Sequence, residues 1–495
     1  MHQLLDTKDG CKTLKIDGIY IHSKFSPLKE AKRFITTTLS TKSTVLILGG
    51  GLGYIFKAIR DISPDIEIIN IPYDRELGEL SLRINKTERV QWDTIEPVKT
   101  FIDRTLNITN IKGLQVIEWE PSHKTHVDFS NNINNVLVQS IRKINGNIMT
   151  TARFGKKWIK NSLKNFIQTT SYVENFTVNR PIAIVASGKS LDASIHILKK
   201  NRNSFTVLAL SSAVLALTEH NITPDIIFST DPGYYSKLHL YAGVKTPLLA
   251  MPLSNSMESG APVLLLNQGN QFEHDIIYRN KIPNISINEN GTVAGTALEF
   301  AINYSKGSIY LFGQDLAPTD IISHVTPYAF DNLLQSSESR IKTYYSTLYN
   351  RWIESGITYK TYRDWFSAIS QKHPNRIFRV GSETESIYGI SDLKEVPIYS
   401  YSPKHPLTIT TQNTGVKEDR IKIVLALVSN WIKLFENKKI SENYLFYLIS
   451  TSIYTDITSK ALSKSAKEAK LKQGKDESIL FLEGLLKLYG RKLLQ

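Results

Sequence analysis

The sequence contains one cysteine, Cys11, among its 495 residues. A single cysteine excludes an intrachain disulfide and any metal site built on several cysteines. No uninterrupted apolar run approaches the roughly 20 residues that a membrane-spanning helix needs. The first residues, MHQLLDTKDGCKTLKID, lack the basic and then apolar pattern of a secretory signal peptide. We therefore expect a cytoplasmic protein without a membrane span.

Several motifs that would define a chemistry are also missing. SGKS at 187–190 lacks the GxxxxGK[ST] spacing of a phosphate-binding P-loop, so ATP hydrolysis of that type is not expected. No DxD stands near a predicted strand end, and no His/Glu cluster has zinc spacing, so we expect no obligatory metal. Zinc fingers, arginine-lined helices and RNP-like aromatic stretches are absent too, which argues against a nucleic-acid partner.

What the chain does have is positive charge, with 60 Lys and Arg against 46 Asp and Glu and a formal net charge of +14. Such a balance fits nucleic acid, an anionic surface or an anionic substrate such as a sugar nucleotide. A compositional drift toward Lys, Ile and Asn without functional meaning is the interpretation that we favour. With 41% hydrophobic and 21% charged residues the chain is typical of a folded protein. Its length predicts about three domains.

The segment 1–125 alternates predicted strands and helices and is interpreted as a Rossmann-like N-terminal domain. Its strand TVLIL runs into a glycine turn at 49–53 and then a helix. Such a turn lets a phosphate approach the backbone at a helix N-terminus, and the acid that usually accompanies it would be Asp74. A tight structural turn explains the glycines as well, so both readings stay open.

The remaining chain is divided by its periodicity into three segments. Residues 126–180 have apolar positions three or four apart and predict a helical connector. Residues 181–405 alternate strands and helices, which predicts a central domain with a doubly wound parallel sheet. Residues 406–495 predict an α-helical C-terminal domain. The fold class is therefore α/β.

Four predicted strands of the central segment, at 182–186, 205–210, 225–229 and 308–312, end in small or polar residues. In open α/β sheets ligands bind at the carboxyl ends of the strands. Strand ends are also polar simply because they meet water. The candidate ligand-binding residues are Ser187, Gly188, Lys189 and Ser190, Ser211 and Ser212, Thr230, Asp231 and Gly233, and Gly313, Gln314 and Asp315.

His324 lies in the loop beyond the strand end that contains Asp315, where a general base would be placed. A lone loop histidine that is simply exposed to solvent is the alternative. The same ordinary interpretation is given to His220, His239 and His274.

These motifs together resemble the motility accessory factor family, whose members are flagellin glycosyltransferases with an MptE-like central domain. The resemblance rests on SGKSL at 187–191, ITPDIIFSTDPG at 222–233, and NGTVAGTALEFAINYSKGSIYLFGQDLA at 290–317 with the histidine that follows. SPLKEAKRF at 26–34 and RFGKKWIKNSLKNF at 153–166 are similar to that family as well. The central segment is also similar, more distantly, to bacterial sialyltransferases. Their glycine turn matches this chain from Gly295, and their active-site tyrosine segment matches TPYAFDN with Tyr328.

The resemblance implies an inverting transfer of a nonulosonic acid from a CMP donor to Ser or Thr of flagellin, with no tightly bound cofactor. The helix N-termini after Gly188 and Gly295 would stabilise the leaving phosphate. His324, Tyr328 and Asp315 would be the catalytic groups. The glycine turn that precedes the second helix adds Gly291, Thr292, Gly295 and Thr296 to the expected donor-binding residues.

Two rival functions stay open. One is a 6-hydroxymethylpterin diphosphokinase, since the MptE-like group includes that activity, and it would require ATP, magnesium and a carboxylate pair. The other is a flagellin-binding factor without catalysis. The oligomeric state cannot be inferred from the sequence.

Overall fold

A computed structural model describes residues 2–40, 43–240, 248–256, 260–317, 324–397, 405–437, 443–459 and 462–494. The chain forms two compact units, one of residues Met1–Gly155 and Ser429–Gly484 and another of residues Lys156–Val428 and Leu485–Gln495. We call them unit 1 and unit 2. The α/β class with parallel sheets that the alternation of strands and helices predicts is confirmed.

Unit 1 is built on a parallel four-stranded sheet and a small antiparallel one. Its strands are β1 (His2–Asp6), β2 (Lys12–Ile16), β3 (Ile19–Tyr20), β4 (Thr44–Leu48), β5 (Glu67–Ile71), β6 (Val90–Gln91) and β7 (Leu114–Glu118). Its helices are α1 (Pro27–Thr38), α2 (Tyr54–Ile62), α3 (Arg75–Ile84), α4 (Val98–Thr105), α5 (Glu120–Thr125), α14 (Tyr444–Ile449) and α15 (Thr451–Thr458). The parallel sheet has the order β6-β5-β4-β7, and β4 is buried along its whole length.

Unit 2 contains an eleven-stranded sheet with the order β17-β16-β15-β9-β10-β11-β12-β13-β8-β18, and β14 pairs with β13. The strands are β8 (Ser171–Val178), β9 (Ile182–Val185), β10 (Thr206–Leu210), β11 (Ile226–Phe228), β12 (Leu249–Met251), β13 (Val263–Asn267), β14 (Ile285–Ser286), β15 (Ile309–Phe312), β16 (Ile377–Val380), β17 (Ser391–Leu393) and β18 (Leu407–Asn413). Among the described strands of this sheet, only β18 is antiparallel to its neighbour.

The helices of unit 2 connect these strands. They are α7 (Ser190–Lys200), α8 (Val214–Glu219), α9 (Gln271–Arg279), α10 (Val293–Tyr304), α11 (Asp331–Ser336) and α12 (Tyr344–Lys372). Three longer helices contribute residues to both units: α6 (Val127–Gln168), α13 (Lys417–Asn437) and α16 (Lys464–Leu494). Short 3-10 helices cover Arg202–Ser204, Ser211–Ala213 and Tyr234–Leu240.

The central strands of unit 2 are continuous apolar runs because helices cover both faces of a parallel sheet. Every residue of β9, β10, β11 and β15 is buried. The register pairs Val185 with both Phe312 and Ala209. These three strands therefore end at one level, and the segments that follow them lie at the same edge of the sheet.

Two segments predicted to be helical contain strands. β8 lies inside the predicted connector 126–180, and β18 lies in the predicted α-helical C-terminal segment. The two strands pair with each other, and β18 has a mostly exposed, polar sequence in which only Leu407 and Ile409 show the apolar alternation by which strands are recognised.

The predicted C-terminal domain is not a separate unit. Within unit 1, Asp456 of α15 forms ion pairs with Lys112 and with Lys470. Ser459 Oγ also donates to the carbonyl of Lys112 at 2.9 Å. The predicted connector 126–180 is not an independent segment either. Most of it is the single helix α6, which contributes residues to both units.

No helix among the described residues is long and apolar enough to cross a membrane.

Candidate functional site

The carboxyl ends of β15, β9 and β10 bring several predicted site residues together in unit 2. Ser187, which follows β9, donates its hydroxyl to Ser212 Oγ at 2.9 Å, so the ends of β9 and β10 are joined. The backbone N–H of Gly188 donates to the carbonyl of Gly313 at 2.9 Å and joins β9 to β15. We call the segments 187–190, 211–212 and 313–315 the strand-edge cluster.

Glycine is required at two positions of this cluster because backbone segments approach each other closely. A Cβ atom on Gly188 would lie 2.6 Å from Asp315 Oδ2 and nearer still to the Gly313 carbonyl. Gly313 has a φ of +64°, and a Cβ there would collide with the carbonyl of Ala186. Gly188 and Gly313 are predicted from the sequence to bind a ligand. In the structure they allow the turn at 187–190 to contact the segment after β15.

Asp315 is held in the interior, where it accepts a hydrogen bond from the first turn of α7. Its Oδ2 accepts from the Ser190 N–H at 3.0 Å, and the residue is 5% exposed. A carboxylate in this position stabilises a helix N-terminus. The Asp315 carbonyl accepts from Thr384 Oγ1 at 3.2 Å, and Thr384 is in turn held by Arg379. The N-terminal amide of α7 that could meet a donor phosphate is thus already bound to Asp315.

Three polar atoms of the cluster are buried without a hydrogen-bond partner in the described part of the chain: Ser190 Oγ, Gln314 Oε1 and Asp315 Oδ1. Native structures bond the large majority of their buried polar atoms. Three unbonded atoms on two adjoining segments therefore indicate groups that are completed by a ligand or by water. Ser and Gln atoms of this kind suit hydrogen bonding to a nucleotide base, ribose or sugar.

His324 and Tyr328 lie beside the cluster. The backbone at His324 bridges to Gly188, and the next amide, Val325 N–H, donates to the Ser187 carbonyl at 2.9 Å. The imidazole ring stacks on the Tyr328 ring with a centroid distance of 4.2 Å and an angle of 10° between the planes. Part of the loop that leads from Asp315 to His324, residues 318–323, lies outside the described residues.

His239 also belongs to this neighbourhood. Its ring lies 5.6 Å from the Tyr328 ring and 4.5 Å from the Phe330 ring, and the residue is 6% exposed. Burial, and secondly the charge of His324, lower the pKa of His239 to about 4. A neutral His239 therefore adjoins His324 near neutral pH. The sequence contains no pattern that identifies it, because its partners lie about 90 positions further along the chain.

Lys189 does not present an isolated positive charge. Its Nζ forms an ion pair with Asp192 Oδ2 at 2.6 Å on the first turn of α7. Asp192 Oδ1 accepts from the Thr326 N–H at 3.2 Å, which attaches the segment after His324 to the same helix. The pair therefore positions the His324 segment, and a phosphate that used Lys189 would compete with Asp192.

Thr230, Asp231 and Gly233 follow β11, the strand next to β10, at the same edge of the sheet. Asp231 is exposed, and its Oδ1 accepts from the Gly233 N–H at 2.7 Å in a local turn. Asn161 of α6 donates to the Pro232 carbonyl at 3.2 Å, and this fixes the turn. No hydrogen bond joins these residues to the strand-edge cluster within the described ranges, although they border it.

The second glycine turn, with Gly291, Thr292, Gly295 and Thr296, forms the start of α10. Thr292 caps this helix, and its Oγ1 accepts from the Gly295 N–H at 2.9 Å. Crossover helices run antiparallel to the strands that they connect, so this N-terminus lies at the carboxyl edge of the sheet. These four residues share the edge with the cluster, but no hydrogen bond between described residues links the two.

The glycine turn at 49–53 in unit 1 is filled by the protein's own side chains. A Cβ on Gly49 would meet the Tyr73 ring, one on Gly50 the Phe56 ring, and one on Gly51 the His22 imidazole. Asp74, the candidate acid, accepts from the Leu77 N–H at 2.7 Å and caps α3. Among the two readings left open by the sequence, this geometry favours the tight structural turn.

Comparisons with known proteins agree with the fold of unit 2. A family model described as 6-hydroxymethylpterin diphosphokinase MptE-like matches residues 156–320. The chain also resembles the structure of MAf glycosyltransferase from Magnetospirillum magneticum AMB-1, with a TM-score of 0.58 at 12% identity, over 99% of this chain and 93% of that one. The likeness shows a shared fold. The family model supports the predicted MptE-like character of the central segment.

Relatives in Treponema pallidum (strain Nichols) are uncharacterized proteins. One is 29% identical over 273 residues, which are 54% of this chain and 60% of the relative. A second is 26% identical over 209 residues, which are 38% of this chain and 70% of the relative. This chain therefore spans about 60% of the length of the first relative.

Proposed function

We propose that the chain is a protein glycosyltransferase and that the strand-edge cluster is its donor site. The observation that carries the proposal is the group of three buried polar atoms without partners, Ser190 Oγ, Gln314 Oε1 and Asp315 Oδ1. A nucleotide-sugar offers hydroxyls, an amine and carbonyl oxygens that can complete such groups. The fold shared with MAf glycosyltransferase supports this reading.

The proposed donor is a CMP-linked nonulosonic acid, and the proposed acceptor is a Ser or Thr hydroxyl of flagellin. In a single displacement the acceptor oxygen forms a bond to the anomeric carbon, and the bond from that carbon to the phosphate oxygen breaks. CMP leaves with the bonding electron pair, and the acceptor proton passes to a base. The anomeric configuration is inverted.

His324 is the proposed base. A serine hydroxyl is a weak nucleophile at neutral pH and benefits from a positioned base. His324 is fixed to the cluster through its backbone bridge to Gly188, and its ring orientation is fixed by stacking on Tyr328. Tyr328 is proposed to help bind the leaving phosphate. Lys237, which lies over the Tyr234 ring at 3.7 Å just after the β11 end, would add positive charge at this edge.

The test of the function is transfer itself. The full chain is incubated with flagellin and a CMP-nonulosonic acid, and the intact mass of flagellin is measured. The proposal predicts increments of one nonulosonic acid residue, and these should form roughly 100-fold more slowly when His324 is replaced by alanine. If the mass of flagellin is unchanged after incubation with the wild-type chain and intact CMP-nonulosonic acid, the proposal is contradicted.

A pterin diphosphokinase is the second candidate, because the matching family model has that description. It would transfer diphosphate from ATP to the hydroxymethyl group of a pterin, with magnesium. Incubation with 6-hydroxymethylpterin, ATP and Mg²⁺ distinguishes the two functions. AMP formation that depends on the pterin favours the kinase, and its absence together with flagellin modification favours the glycosyltransferase.

A further inference from the structure

Unit 2 contains a cavity that is separate from the strand-edge cluster. It has a volume of about 170 Å³, and its lining includes Tyr172, Lys281, Asn413 and Arg420. Tyr172 of β8 pairs with Val263, the first residue of the parallel strand β13. The cavity therefore lies toward the amino edge of the sheet, opposite the edge that holds the proposed donor site.

Arg420, on the first turn of α13, is a buried cation that has no carboxylate partner within the described residues. It is 6% exposed, and its Nη1 donates to the carbonyls of Phe166 and Thr169 at the end of α6. Nε is buried without a hydrogen-bond partner among the described residues, and both hydrogen bonds that Arg420 donates to described residues come from Nη1. The edge formed by Nε and Nη2 is one that binds carboxylates and phosphates through two parallel hydrogen bonds.

Tyr172 supplies a second buried donor at the same cavity. The residue is 3% exposed. Its hydroxyl lies near Thr169 but is buried without a hydrogen-bond partner among the described residues. Burial raises the pKa of Tyr172 to about 12, so the hydroxyl keeps its proton at neutral pH and can donate it.

The rest of the lining is mixed, since Phe166, Ile282, Pro283 and Ile423 are apolar and its polar residues suit an anion. Lys281 contributes a further cation, and Asn280, Gln412 and Asn413 contribute amide groups. Buried charges in proteins are normally paired, and an unpaired guanidinium is costly to keep in the interior. A cavity of this volume is comparable to an engineered one of about 150 Å³ that binds benzene, so the space accommodates roughly six non-hydrogen atoms.

We propose that this cavity binds a small oxyanion, a carboxylate or a phosphate group, between the Nε–Nη2 edge of Arg420 and the Tyr172 hydroxyl. The ligand would complete both donors and neutralise the guanidinium. Because Arg420 already joins α13 to the end of α6, binding would strengthen the attachment of these two helices. The site is independent of the proposed transfer reaction.

The test measures anion binding to the full chain. Sodium phosphate and sodium acetate are titrated separately at constant ionic strength, and the melting temperature and the heat of binding are recorded. We expect a saturable rise in Tm with at least one of them, since a ligand that binds only the folded state stabilises it. The titration with phosphate and the titration with acetate show whether the site binds a phosphate group or a carboxylate.

Tyr172→Phe removes only a hydroxyl that has no partner among the described residues, so the variant should keep the fold. Its affinity for the anion should fall by about 10-fold, which corresponds to about 1.4 kcal/mol. Arg420→Lys keeps the positive charge but lacks the paired Nε and Nη2 donors, so saturable anion binding should disappear. The proposal is overturned if neither anion raises the Tm of the wild type, or if Tyr172→Phe binds the anion as tightly as the wild type does.

Two control variants separate this site from other effects. Arg376 also donates to carbonyls at the end of a helix, α10, and it does not line the cavity. Arg376→Lys should lower the Tm but retain the rise with anion. Ser190→Ala alters the proposed donor site and should also retain the rise. Loss of the rise in Ser190→Ala would assign the anion to the strand-edge cluster and contradict the proposal.

Discussion

Replacement of Gly188 by alanine tests whether the contact between the turn at 187–190 and the segment after β15 holds the site together. The new Cβ would lie 2.6 Å from Asp315 Oδ2 and would collide with the Gly313 carbonyl. Both obstacles are fixed, one being backbone and the other a carboxylate bound to the Ser190 N–H. The turn must therefore move away from Asp315.

The magnitude follows from two terms. Forcing an extra methyl into a packed interior typically costs 1–3 kcal/mol. Weakening a hydrogen bond to a charged group costs about 1.5–3 kcal/mol. We expect a loss of about 3 kcal/mol and, at roughly 2–4 °C per kcal/mol for a unit of this size, a decrease in Tm of about 8 °C.

The assay is differential scanning calorimetry of the full chain, combined with titration of CMP. Gly490→Ala is the matched control, because Gly490 lies in α16 with no atom near its Cβ position. There the same substitution should raise stability by up to about 1 kcal/mol, since alanine favours helix more than glycine does. A Gly188→Ala protein with wild-type Tm and CMP affinity would refute the reasoning.

Three further predictions concern individual side chains. His324→Ala should lower transfer by roughly 100-fold while CMP binding persists, and unchanged transfer rates would rule out a general base at this position. His239 has a pKa of about 4 when folded and near 6.5 when unfolded, so the unfolded state binds more protons and stability falls as the pH decreases from 6.5 to 4. Tm measured against pH should be less acid-sensitive in His239→Phe, and an unchanged profile would contradict the shift. Asp74→Ala removes the cap of α3 and should cost about 1 kcal/mol of stability, with CMP affinity unaltered in calorimetry; weaker CMP binding would show instead that the turn at 49–53 takes part.

The strands of the strand-edge cluster could be predicted from local sequence. The apolar runs IAIV and IYLF are bounded by proline or serine on one side and by glycine or small polar residues on the other, and the observed β9 and β15 agree with prediction within one residue. Parallel pairing then fixes which ends meet, because the carboxyl ends of such strands lie at one edge.

What could not be predicted depends on contacts between distant parts of the chain. The bond from Ser190 to Asp315 spans 125 positions, and the position of Arg420 at the end of α6 spans about 250. β18 has an apolar alternation at Leu407 and Ile409 only, and it is a strand over seven residues because it pairs with β8 at the border of the sheet. Local patterns contain no information on such pairings.

The claim that the strand-edge cluster is a nucleotide-sugar site is tested most directly by calorimetric titration of CMP against Ser190→Ala and Ser194→Ala. Ser190 Oγ has no partner among the described residues, whereas Ser194 Oγ, one turn further along α7, donates to the Ser190 carbonyl at 2.9 Å. We predict that Ser190→Ala keeps the wild-type Tm but binds CMP about 10-fold more weakly, and that Ser194→Ala loses about 1 kcal/mol of stability but keeps its CMP affinity. Equal CMP affinity in Ser190→Ala and the wild type, or no CMP binding by the wild type, would contradict the account.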